Sequence, residues 1–227
     1  MSSLAATAAL IGDPARAAML QALLPGEALT AGELARVAGI GASAASAHLK
    51  ALAEGGMLAV HAQGRHRYHR LAGEEVAAAL EALLALPTSP VRASWPHGEE
   101  LRRARLCWGH LAGRLGVALH AALAARRWIE PAPGGWQATA AGEAGIVSLG
   151  ADLTAARAAP RFACDCMDWS ERRPHLAGGL ARELTASMLR HRWLVRPEAA
   201  SDRPLRRRLL ICTPEGARRL AALGVVA

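Results

Sequence analysis

Two short helical segments around a glycine turn, followed at once by a basic hairpin, constrain this chain more than any other feature. Thr30-Ala31-Gly32-Glu33 reads as a capping box, with the Thr30 hydroxyl capping the first turn and Glu33 reaching back. The helix it opens carries Leu34 and Val37 and stops at Gly39. Ile40-Gly41 makes a tight turn, and residues 42–54 form the next helix, with Ala45, Leu49 and Leu52 turned inward and Gly55-Gly56 at its end. Upstream, Asp13 caps a helix that has Pro14 at its first position. Ala17, Met19, Leu20, Leu23 and Leu24 give that helix an apolar stripe, and Pro25-Gly26 stops it. Two short helices joined by a tight turn are a helix-turn-helix unit, whose second helix is expected to enter the major groove of duplex DNA.

The outward positions of that second helix are Ser43, Ala44, Ser46, Ala47, His48 and Lys50. Ser43, Ser46 and His48 can contact bases or phosphates, and Lys50 suits a phosphate. The face is poor in Arg, Asn and Gln, so DNA shape and the hairpin should carry much of the specificity. That hairpin runs from Met57 through Gln63-Gly64 to Leu71 and carries Arg65, Arg67 and Arg70. Following a helix-turn-helix, it is the expected wing, lying along a phosphate backbone or dipping into the minor groove.

The formal charge of +8 over 227 residues favours polyanionic partners, but its distribution does not mark the reading head. Residues 1–90 hold six Lys/Arg and seven Asp/Glu, while residues 91–227 hold 21 Arg and 12 acids. The length suits two domains. The start lacks a basic n-region, there is no apolar run of membrane-spanning length, and four unevenly spaced cysteines do not make a disulfide framework. A reduced, cytoplasmic protein is therefore expected. Phosphate loops, nucleophile elbows and His-Glu-x-x-His helices are absent, which argues against an enzyme.

Residues 43–58, Ser-Ala-Ala-Ser-Ala-His-Leu-Lys-Ala-Leu-Ala-Glu-Gly-Gly-Met-Leu, resemble the signature of the arsenic-repressor (ArsR-type) family, and Gly64-Arg65-x-x-Tyr68 resembles its wing. The resemblance covers about residues 5–86 and implies a dimeric winged-helix repressor that an effector releases from its operator. The amphipathic segment 74–86 matches the family's dimerisation helix by position. Small metal-sensing members carry a Cys-x-Cys box before the recognition helix, or Asp and His on the dimerisation helix. Residues 31–37 contain no Cys, and residues 74–86 contain no His or Asp, so the effector site is expected further along.

Pro87 to Gly98 is Pro-rich and breaks periodicity, which places a linker there. Beyond it the chain repeats itself. His110-Leu111-Ala112-Gly113 recurs as His175-Leu176-Ala177-Gly178, and Leu115, Leu119, Arg127 and Trp128 recur at the same offset of 65. Thr139-x-x-Gly142 recurs as Thr213-x-x-Gly216, offset by 74, the extra length including the Arg203-to-Arg208 cluster. Each copy reads as a helix, a Trp-bearing end, a hairpin-like segment and a final helix, the order of the latter half of a winged helix. Cys107 precedes the first copy, and Cys164 and Cys166 precede the second. Cys166-Met167-Asp168-Trp169 with the following Ser-Glu-Arg-Arg is similar to a stretch found in long members of the same family.

The expected architecture is mainly α with small β-wings (α+β). Residues 1–86 form a winged helix-turn-helix for DNA binding and dimerisation, and 87–99 a linker. Residues 100–227 form a sensing domain of two tandem winged-helix-like repeats, about 105–150 and 168–224. The expected protein is a homodimeric repressor on double-stranded operator DNA. Its effector site draws on Cys107, Trp108, His110, Cys164, Cys166, Asp168, Trp169 and His175. Cys107, Cys164 and Cys166 are candidate ligands of a thiophilic ion such as Zn, Cd, As or Sb, with His110 or His175 available to complete the set. Two other readings stay open: a small organic effector in a pocket lined by Trp108 and Trp169, and a protein-interaction module that does not bind DNA.

Overall fold

Local signals set the first elements of the computed structural model, which describes residues 4–63, 66–85, 98–197 and 207–225. After α1 (Leu4–Ile11), Asp13 caps α2 (Pro14–Leu23) by accepting from the Arg16 amide at 2.9 Å. The Arg16 side chain in turn donates to the last carbonyls of α1, at Leu10 and Ala9. β1 (Leu29–Thr30) leads into α3 (Ala31–Ala38), where the complete capping box forms: Thr30 Oγ1 accepts from the Glu33 amide and Glu33 accepts from the Thr30 amide. Gly39, at φ 66°, takes the left-handed conformation that ends α3. The turn then delivers α4 (Ala42–Glu54), with Ala45, Leu49 and Leu52 buried.

β2 (Leu58–Gln63) and β3 (His66–Leu71) form the antiparallel hairpin, and β1 adds to β3, giving the order β1-β3-β2. Met19, Leu20, Leu23, Leu24, Leu34, Leu52 and Leu71 are nearly inaccessible and make the core beneath it. α5 (Glu74–Ala85) follows. The chain divides into two units, the described residues of Met1–Leu80 with Ala199–Arg208, and those of Glu81–Glu198 with Leu209–Ala227.

The second unit contains α6 (Gly98–Arg103) and then two copies of one plan. The first runs β4 (Arg105–Cys107), β5 (His110–Ala112), α7 (Arg114–Ala125), β6 (Ile129–Ala132), β7 (Gly135–Ala138) and α8 (Ala140–Ser148). After α9 (Leu153–Ala158) the second runs β8 (Cys164–Met167), β9 (Pro174–Ala177), α10 (Gly179–Arg190), β10 (Leu194–Val195), β11 (Ile211–Cys212) and α11 (Pro214–Ala222). The protein is thus mostly helical, a helix-turn-helix followed by small hairpin wings in tandem winged-helix-like repeats. Each copy opens on a hairpin, an element that the sequence pattern does not announce.

The recurring residues have matching jobs. Thr139 and Thr213 cap the final helices, accepting from the Gly142 and Gly216 amides at 3.0 Å each, while their hydroxyls donate back to Arg127 and Arg192 carbonyls. A Cβ on Gly142 would lie 1.8 Å from the Trp128 carbonyl oxygen, and one on Gly216 2.1 Å from that of Trp193, so only glycine lets these helices close on the Trp-bearing turn. Leu115, Leu119, Leu180 and Leu184 are buried in one shared core. α7 and α10 are buried around most of their circumference, so neither offers the free face that a helix needs to enter a groove.

Candidate metal centre and nucleic-acid interface

In the first unit, α4 turns Ser43, Ala44, Ser46, Ala47 and Lys50 to solvent. Lys50 lies 3.8 Å from Glu54, a loose exposed pair that leaves its charge available. The Ser46 hydroxyl donates back to the Ala42 carbonyl and keeps its lone pairs free to accept. His48 is placed differently from the sequence expectation. It is half-buried against α2, with Nδ1 3.2 Å from Arg16 Nη1 and 3.9 Å from Asp13, so it braces the helices more than it reaches outward. On β3, Arg67 and Arg70 are both exposed, but side-chain alternation sends them to opposite faces of the hairpin. Arg65 lies outside the described residues. Of the Arg203-to-Arg208 cluster, only Arg207 and Arg208 are described. Arg208 is buried and Arg207 lies 4.0 Å from Glu27, so these two do not extend a DNA-facing patch.

The second unit gathers the candidate ligands. Cys107 and His110 are cross-strand partners in the β4–β5 hairpin, and Cys166 and His175 are cross-strand partners in β8–β9. Each repeat therefore contributes one thiol and one imidazole from equivalent hairpins. Cys107 Sγ lies 4.0 Å from Cys166 Sγ, and His110 Nε2 lies 3.1 Å from His175 Nε2. One ligand atom from each of the four residues falls within 4.8 Å of all the others, which makes a cluster able to coordinate a metal ion.

Cys164 is not in this cluster, which corrects its place among the ligands. It pairs with Ala177, two residues along the strand from Cys166, and is buried. Residues i and i+2 of a strand share a face about 6.6 Å apart, and Cys164 is not among the four residues whose ligand atoms converge. None of the four cysteines is in a disulfide. Cys212 is half-buried at the edge of the core and forms no part of the cluster.

Behind His175 stands a buried carboxylate. Asp168 Oδ2 is 3.1 Å from His175 Nδ1, and both side chains are inaccessible to solvent. Asp168 also accepts from Arg105 Nη2 at 2.8 Å, the Gly113 amide at 2.7 Å, and the hydroxyl and amide of Ser170. Arg105 itself is fully buried and covered by the Trp169 ring 4.4 Å away. Trp169 thus packs on the ion pair. Trp108 occupies the β4–β5 turn at φ 47°, a conformation costly for a bulky residue, which holds Cys107 and His110 on either side of the turn.

The electrostatics follow from these neighbours. Hydrogen bonding from Cys107, helped by His110 and His175, pulls the Cys166 thiol far below its usual range against the opposing effect of burial. Burial, with His175 alongside, lowers His110 and favours its neutral form. Burial opposes a charge on His175, but Asp168 and Cys166 outweigh it and raise the group. Burial likewise opposes the Asp168 charge, yet His175 and Arg105 hold its carboxyl far below the ordinary range. The Asp168–His175 pair is the arrangement that fixes the tautomer and orientation of a ligating imidazole. Sequence reasoning points to Asp168 but not to Arg105, Ser170 or the Gly113 amide, which hold it in place.

Sequence comparison agrees with the first unit's architecture. A helix-turn-helix domain family matches residues 11–61. YdfF of Bacillus subtilis, described as an uncharacterized HTH-type transcriptional regulator, is 36% identical over 198 residues, spanning 86% of this chain and 88% of that protein. Among solved structures, NolR of Sinorhizobium fredii is 26% identical over 35% of this chain and 78% of its own, with a TM-score of 0.32. Reduced HlyU of Vibrio cholerae is 26% identical over 37% of this chain and 88% of its own, with a TM-score of 0.34. The class defined is a DNA-binding winged helix-turn-helix protein. The chain belongs to the family of HTH-type transcriptional regulators, whose members regulate rather than catalyse. Among the described residues, no helix is long and apolar enough to cross a membrane.

Proposed function

We propose that this regulator is a cytoplasmic, homodimeric repressor of the ArsR type whose grip on operator DNA is set by a thiophilic metal or metalloid ion in the second unit. The observation that carries the reading is the convergence of Cys107, His110, Cys166 and His175, one Cys–His pair from each repeat. Residues 42–54 would lie in the major groove with Ser43, Ser46 and Lys50 toward the duplex, and the wing with Arg67 and Arg70 on flanking backbone. Dimerisation is supported by α1, which buries none of its apolar residues, and by Ala78, Ala79, Ala82 and Leu83 exposed on α5.

The donor residues suit such an ion. Cys107 and Cys166 would supply thiolates and His110 and His175 neutral imidazoles, with Asp168 orienting His175. A bound ion would cross-link the β4–β5 and β8–β9 hairpins and so join the two repeats. The test is anisotropy of a labelled duplex from the protein's own upstream region, with Zn(II), Cd(II), As(III) and Sb(III) titrated into the bound, reduced protein. An ion that changes DNA binding in the parent chain, and not after Cys107→Ser/Cys166→Ser, supports the reading. DNA binding that no ion alters would refute it.

A further inference from the structure

We propose that the cluster selects a divalent, tetrahedral cation of the Zn(II) class and rejects trivalent arsenic and antimony. This rests on the reading of the cluster as an ion site and names the ion that the site takes. Three observations carry it.

The donor geometry comes first. Zn(II) with two thiolates and two imidazoles, at ordinary bond lengths, sets its sulfurs roughly 3.8 Å apart and its nitrogens roughly 3.3 Å apart. The separations here are 4.0 Å and 3.1 Å, so a few tenths of an ångström of side-chain adjustment makes those edges of the tetrahedron. An S₂N₂ tetrahedron is a zinc-type donor set. Trivalent arsenic and antimony bind in a pyramid of three sulfurs, with the lone pair occupying the remaining direction. The cluster holds two thiols, and Cys164 lies two residues along the strand, outside it.

Charge balance comes second. The Asp168 carboxylate is already matched by the buried Arg105 guanidinium at 2.8 Å. Two thiolates then leave a charge of −2 in a nearly water-free site, which a divalent ion cancels. Closure is the third. Cys107, His110 and His175 are at most 2% exposed, and four protein ligands leave no position for water or substrate. The ion would act as a staple between repeats.

The experiment uses the full-length protein, reduced and stripped of metal by chelation, with Co(II) as the spectroscopic probe. The expected result is one equivalent of Co(II) giving intense visible d–d absorption and a near-ultraviolet thiolate charge-transfer band. One equivalent of Zn(II) should abolish both, and arsenite should change neither. Cys164→Ser should keep the spectrum and Cys166→Ser, which leaves one thiolate of the two, should roughly halve the charge-transfer band. Because the Cys166 variant can fail to fold, X-ray absorption of the Zn(II)-loaded parent chain is a second readout, expected to count two sulfur and two nitrogen neighbours. Arsenite displacing Co(II), a weak octahedral spectrum, or any other neighbour count overturns the proposal while leaving an ion site in place. Absence of binding by Co(II), Zn(II) and arsenite alike overturns the ion-site reading with it.

Discussion

Replacing Asp168 by Asn should be among the most damaging single changes in the second unit. The carboxylate and the Arg105 guanidinium are both inaccessible to solvent and 2.8 Å apart. Removing one member of such a pair leaves an uncompensated buried charge, at a cost of about 3–5 kcal/mol. An amide would add to this, because Arg105, Gly113, Ser170 and Glu171 all aim donors at the Asp168 carboxylate, and an NH₂ must face one of them. All six tryptophans fall between residues 95 and 193, so tryptophan fluorescence follows the second unit. With a urea slope of about 2 kcal/mol per molar, the metal-free variant should unfold roughly 2 M earlier than the parent chain. The double change Arg105→Met/Asp168→Leu removes both charges together and should recover at least half of the loss. A shift below about 0.5 M, or a double variant weaker than the single one, would refute the claim that this ion pair anchors the site.

Gly142→Ala and Gly216→Ala should each lower the melting temperature of the second unit, since the new methyl would sit about 2 Å from a Trp carbonyl; strain of about 1–3 kcal/mol is expected, and an unchanged melting curve would count against the tight Thr-x-x-Gly closure. Neutralising Arg67 and Arg70 should weaken duplex binding whatever the sequence, and flatten the slope of log affinity against log salt by about 0.9 for each phosphate no longer neutralised, as read from anisotropy at several salt concentrations. Hydrogen bonding from the Thr30 backbone holds Glu33 below its usual range, so its contribution to stability is present above the ordinary Glu value of about 4.3 and fades as pH falls below it. Glu33→Gln should therefore flatten the acid limb of the first unit's stability profile, and an unaltered limb would rule out the capping-box contribution.

The first unit was legible because its signals are local. Asp13-Pro14, the Thr30–Glu33 box and Gly39 each act within one turn, and the structure places the caps there. α1 escaped notice because Leu4–Ile11 carries no charge and is apolar nearly all round, so it shows no amphipathic period. The β4–β5 and β8–β9 hairpins escaped for other reasons. Their strands are three or four residues long, β4 and β5 are buried throughout and so lack alternation, and one turn is built on Trp108-Gly109, not on the usual Asn-Gly. Missing those hairpins is what left Cys164 and Cys166 as the apparent pair. Spacing alone suggests joint ligation, whereas an extended strand separates them and brings Cys107 and the two histidines to Cys166 instead. The Arg105–Asp168 pair spans 63 residues, and no local pattern announces it.

Coupling between the cluster and the DNA-binding head is the central claim, and duplex affinity with and without one bound ion tests it most directly. The dissociation constant of the metal-free protein for its upstream duplex would be compared with that of the protein carrying one equivalent of Zn(II), at fixed salt. The account predicts a change of about fivefold or more, the lower range for linked sites, that disappears in Cys107→Ser/Cys166→Ser. Equal constants in the two states, with the ion demonstrably bound at the cluster, would contradict it and leave the ion a purely structural part of the second unit.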